Sequence, residues 1–167
     1  MTPRTKFIKW YVRPFNRLKR IKNGDGAFII LSMGVSLCER YFRIKSNCIT
    51  AKSLPPKFYV AAAKSYGCAA DEFEMFWNVY RHGLQHRGQP QKWIDWWDAG
   101  RTRKVKTRIG WSIDASYEAC PKIKRQNSKS IFCVNPHKFT EHILKKFLVD
   151  PKVLQRSVRH QWGDISP

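Results

Sequence analysis

The sequence predicts a mainly α protein, a helical bundle with a small β-hairpin in its C-terminal half, on three observations. Phe73, Phe76, Trp77, Tyr80 and Leu84 recur at i, i+3, i+4, i+7 and i+11, one apolar face of an amphipathic helix. Phe28, Leu31, Val35, Cys38 and Phe42 repeat that period earlier, and Ile29, Ile30, Met33 and Leu37 widen the stripe enough to predict a central helix with neighbours on several sides. After Arg101 the period falls to two. Val105, Thr107, Ile109, Trp111 and Ile113 alternate with Lys104, Lys106, Arg108 and Ser112, as in a strand with one basic, solvent-facing side. At 167 residues and 43% hydrophobic content the chain is long and apolar enough to fold as one domain over 1–167. Residues 1–100 supply the helical part and 101–167 the hairpin and the last helices.

Arg4 to Lys22 carries no acidic side chain. Phe7, Trp10, Tyr11, Phe15 and Leu18 interleave with cations that include Arg13, Arg17 and Arg20, which suits a helix with a docked apolar stripe and a cationic face, kinked or restarted at Pro14. Two partners fit that face, phosphates or an anionic membrane. Phosphate is preferred because further basic clusters follow. Asp25 is the expected N-cap of a helix from Gly26 to about Lys45. Within it Glu39 pairs either with Arg43 at i+4 or with Arg81 across the bundle.

Leu54-Pro55-Pro56 ends a connection, and Lys57 to Tyr66 forms a short alanine-rich helix stopped by Gly67. The helix from about Ala70 places Asp71, Glu72 and Glu74 in its first turns, where negative charge complements the helix dipole. Trp93, Trp96 and Trp97 read as a patch on a short helix that either packs in the core or stacks on bases. Ser130 to Val134 is the second strand, reached through a basic loop containing Lys124 and Arg125 that is either merely solvated or touches phosphate. Pro136 and Asp150-Pro151 start the last two helices, and Trp162 to Pro167 is expected to fray.

The chemistry gathers at the end of the aromatic helix, in Arg81, His82, Gln85, His86 and Arg87. Arg81-His82-Gly83-Leu84-Gln85-His86 resembles the R-x4-6-H motif of the HEPN superfamily, small helical-bundle proteins that include many metal-independent RNases. The resemblance covers roughly the first hundred residues. It implies a HEPN-like bundle and a homodimer, with Arg81 as phosphate clamp, His86 as general base or acid and His82 in support. RNA would be cut to 2′,3′-cyclic phosphate and 5′-hydroxyl ends. Bacterial proteins of this kind often act as toxins or anti-phage effectors, which would bring an antitoxin or ribonucleoprotein partner. The chemistry suits the residue types: histidine titrates near neutrality, and the guanidinium fork matches a phosphate. Residues five apart on an undistorted helix point about 140° from one another. Either Gly83 bends the chain, or two subunits share a cleft.

Other classes fit less well. His82 and His86 have the i, i+4 spacing of a metal pair, but no nearby carboxylate or thiol offers a third ligand and Arg81 and Arg87 repel a cation. No cofactor is expected. The histidines otherwise solvate the end of a core helix, and the protein is then a nucleic-acid binder without catalysis. The 32 Lys and Arg against 12 Asp and Glu, a formal charge of +20, call for a polyanionic partner in either case. Five cysteines without C-x-x-C spacing suggest reduced thiols and a cytoplasmic setting. The most apolar run, Ala27 to Leu37, is far short of the roughly 20 residues of a membrane-spanning helix.

Overall fold

The computed structural model describes residues 1–21, 26–87, 89–97, 102–126 and 129–162, with the side chains of 85–87, 97, 125, 126, 129 and 159–162 outside that description. The next helix has Gly26 at its N-cap position, one residue later than expected, and Asn23 to Asp25 of the expected turn fall outside the described residues.

The N-terminal cationic segment is helical without a sharp break: α1 (Pro3–Phe7), a π-helical turn (Ile8–Val12) and α2 (Arg13–Leu18). Pro14 has no N–H to give and its ring crowds the preceding turn; the i→i−5 bond from Arg13 N–H to Ile8 O widens the helix just ahead of it. Phe7 and Phe15 are buried, and Phe7 packs on Phe147 with ring centroids 4.9 Å apart. These two residues of the apolar stripe thus pack into the protein's own core, while Trp10, Tyr11 and Leu18 are part-buried.

The central helix is α3 (Ala27–Lys45), packed against α2, α4 (Pro56–Tyr66), α5 (Ala70–Arg87), α6 (Pro136–Val149) and α7 (Pro151–Trp162). Its closest approach is to α6 at Gly34, where a Cβ would overlap Thr140 Oγ1, and that hydroxyl donates to Ile30 O at 2.8 Å. Leu31, Val35, Cys38 and Phe42 are buried as expected, but Phe28 and Ile29 remain 38% and 56% exposed. On α5 the whole predicted face is buried, from Phe73 to Leu84. Tyr80 anchors that helix to the sheet by donating to Phe132 O at 3.1 Å and Ser112 O at 3.2 Å.

The β structure is richer than one hairpin. β1 (Trp93–Trp97) pairs antiparallel with β2 (Lys104–Arg108), while β3 (Gly110–Ile113), β5 (Lys129–Val134) and β4 (Lys122–Gln126) form a mixed sheet in the order β3-β5-β4. β3 runs parallel to β5, and β4 antiparallel to it.

Three expectations are thereby corrected. The tryptophan patch is a strand, because aromatic and β-branched side chains suit a pleated, half-buried surface, and it places β structure ahead of residue 101. Val105 to Ile113 is two strands in different sheets, parted at buried Ile109, whose N–H bonds Lys92 O at 2.9 Å. The expected basic loop contains β4, a lysine-bearing edge strand paired with the apolar β5.

Asn135 and Asp150 cap the last two helices: Asn135 Oδ1 accepts from His137 and Lys138 N–H at 3.0 Å, and Asp150 Oδ1 from Val153 N–H at 3.1 Å. Helix α7 extends to Trp162, and the expected frayed tail from 163 on lies outside the described residues. Among those described, no helix is long and apolar enough to cross a membrane.

Candidate functional site

Helix α5 carries the Arg81–His86 motif in its last two turns, after its buried aromatic face. The helix runs unbroken through Gly83, so the glycine does not bend it. Gly83 serves a close approach instead. A Cβ there would overlap Gln89 O and stand 2.6 Å from both Gln91 N and Pro90 Cα, where the chain folds back and Gln91 N–H bonds Val79 O at 2.9 Å.

Arg81 is only partly exposed, at 23% of its side chain, and its Nε donates to Glu39 Oε2 at 3.1 Å. The other carboxylate oxygen, Glu39 Oε1, accepts from Arg43 Nε at 2.9 Å. Both partners weighed from the sequence are therefore real at once. Arg43 is fixed in turn by its Nη1, which donates to Ala51 O at 2.7 Å and Cys48 O at 3.3 Å in the loop after α3. Two guanidinium groups share one carboxylate, so the three-residue cluster keeps a net positive charge.

Tyr59 of α4 lies in the same field. Burial, reinforced by Glu74 and Glu39 and opposed by Arg81 and Arg43, pushes its phenol up to about 12, so it stays a neutral hydroxyl. Nothing in the sequence singled Tyr59 out, since its approach to the cluster depends on how α4 packs on α5. His82 is half-buried. The side chains of His86 and Arg87 lie outside the described residues, and among those described no group of three or more His, Cys, Asp or Glu is placed to hold a metal ion.

The predicted phosphate contacts fall on separate elements. Arg13, Arg17 and Arg20 are exposed on and just after α2. Lys104, Lys106 and Arg108 are exposed along β2 and alternate with part-buried Val105 and Thr107, as the period-two pattern requires. Lys124 is exposed on β4 with its ammonium 4.8 Å from the Tyr117 ring centre, while the Arg125 side chain lies outside the described residues. β2 and β4 belong to different sheets. Across the hairpin Trp93 pairs with Arg108, whose guanidinium carbon stands 6.0 Å from the tryptophan ring centre, and Asp95 pairs with Lys106.

The remaining histidines have structural surroundings. His142 Nε2 shares a hydrogen bond with Ser65 Oγ at 2.9 Å, and burial holds its pKa below the usual value, helped by Lys146 and Lys145. His137 is likewise lowered, by burial and then Lys19, and the His160 side chain lies outside the described residues.

Compared with known proteins, the chain matches no family model, no curated protein and no solved structure.

Proposed function

We propose that this chain is a metal-independent endoribonuclease of the HEPN type that works as a homodimer. The observation that carries the reading is the grip of Glu39 on Arg81, which holds a half-buried guanidinium in one orientation at the end of a rigid helix. A phosphate clamp needs that pre-organisation, because a positioned cation stabilises a phosphorane without reorganising. Arg81 would hold the scissile phosphate and His86 would exchange the proton of the 2′-hydroxyl or the 5′ oxygen, with His82 in support.

With α5 continuous through Gly83, we take the route through a second copy, which would bring both groups to one phosphate. A surface for it adjoins the motif: exposed Phe28 and Ile29, with Ser32, Met33, Ser36 and Leu84, line an open groove of about 380 Å³ between α3 and α5. The test is cleavage of an end-labelled RNA in EDTA. Wild type should leave 2′,3′-cyclic phosphate ends, and His86→Ala should lose cleavage while keeping salt-dependent binding. Wild-type RNA that stays intact would overturn the nuclease.

The same ion pair favours a second reading. A guanidinium already engaged by a carboxylate is also what a purely structural arginine looks like, and the protein is then a nucleic-acid binder in which the motif braces α3 against α5. Binding without cleavage in the same assay selects that reading.

A further inference from the structure

Where the chain leaves β2 for β3, a cleft of about 510 Å³ opens between the two sheets, lined by Lys92, Arg108, Ile109, Trp111, Ser130 and Ile131. Its volume lies within the roughly 300–1,000 Å³ of pockets that take small organic ligands. Ile109, 2% exposed, is fixed there by its bond to Lys92 O. Trp111 is held by Phe28, which meets it at 81° with ring centres 5.7 Å apart. Arg108 is steadied by the Trp93 ring across the hairpin. The lining thus divides into an aromatic and aliphatic part and a part with two cations and a hydroxyl.

A flat ring joined to an anion satisfies both parts at once. We propose that this cleft holds one nucleotide of single-stranded RNA, its base against Trp111 and its phosphate between Lys92 and Arg108. The proposal rests on RNA being the partner, as argued above, and names the subsite that grips it. Lys106 and Lys104 continue from Arg108 along the same exposed edge at about 6.8 Å per same-face residue, giving neighbouring phosphates a path, although Asp95 opposite Lys106 offsets part of that charge. Stacking with cationic support is sequence-tolerant, so the subsite adds affinity without selecting a base.

The experiment is fluorescence anisotropy of a labelled 2′-O-methyl RNA decamer, which lacks the 2′-hydroxyl that cleavage requires and so stays intact, on the full chain across a salt series. Trp111→Leu should weaken binding roughly 5- to 150-fold, the range for loss of one stacked base. Arg108→Gln should weaken it and flatten the log–log salt dependence by about 0.7, one phosphate contact to a single strand. Because Trp111 also packs on Phe28, a parallel measurement avoids the variant: ultraviolet crosslinking of 4-thiouridine RNA to wild type should mark the peptide that follows Arg108. Unchanged binding by folded Arg108→Gln, or crosslinks confined to other peptides, overturns the subsite while RNA binding stands. Wild type that fails to bind the decamer overturns the RNA reading and the subsite with it.

Discussion

Glu39→Gln separates the orienting role of the carboxylate from its charge. The substitution keeps the shape, removes the anion that Arg81 and Arg43 share, and adds one to a formal net charge of +20. The three side chains are 14%, 18% and 23% exposed, between the surface pairs that contribute about 0–1 kcal/mol and the buried ones whose breakage costs about 3–5 kcal/mol. A loss of about 2 kcal/mol follows, and for a chain of this length that lowers Tm by roughly 4–8 °C. Far-UV circular dichroism melts read it directly. The functional consequence has the opposite sign from simple electrostatics: more positive charge should tighten RNA binding slightly, yet an Arg81 freed from its holder should cut at least tenfold more slowly. Melts within about 1 °C of wild type, or cleavage that rises with binding, would refute the claim that Glu39 positions Arg81.

Other outcomes follow from particular contacts. Gly83→Ala should destabilise the protein, because the new methyl overlaps the backbone of 89–91; helix propensity alone predicts a gain of about 1 kcal/mol, so the sign of the change in denaturant midpoint decides between packing and propensity. Cys120 should alkylate at lower pH than Cys68: the hydrogen bond from the Cys68 thiol and then the Lys122 charge lower its pKa against the opposing effect of burial, whereas the Cys68 thiol is raised. Rate–pH profiles by mass spectrometry should show Cys68→Ala moving the Cys120 midpoint upward. Burial works to raise the Asp150 pKa, but hydrogen bonds from Lys45, the Val153 N–H and Tyr41 outweigh it, so the folded value lies below the unfolded one. The stability this carboxylate contributes is then present above about pH 4 and lost as pH falls through the folded pKa, and Asp150→Asn should flatten the acid limb of Tm against pH.

Long periodic helices were legible because their faces answer to one rule: every residue of the Phe73-to-Leu84 set is buried, and α4 ends at Gly67 with φ +75°. The strands were less so. Trp93, Trp96 and Trp97 satisfy a helical spacing as well as a strand's, and only the pairing with Lys104–Arg108 resolves it. Parallel pairing of β3 with β5 is non-local and leaves no mark in either segment alone. At the site, both partners of Glu39 were nameable from spacing and charge, but that one carboxylate holds both arginines depends on how α3 crosses α5. Phe28 fits the α3 stripe by period and still faces outward at 38% exposure, since periodicity marks a face without saying where its neighbour ends.

The central claim, that two copies complete one cleavage site, is tested most directly by complementation. Arg81→Ala and His86→Ala proteins, each inactive, are mixed under conditions where subunits exchange, and cleavage of labelled RNA is measured in EDTA. If the arginine of one subunit works with the histidine of the other, mixed dimers regain one intact site, and activity should return to about a quarter of wild type. A mixture that exchanges subunits yet stays inert would contradict the shared site.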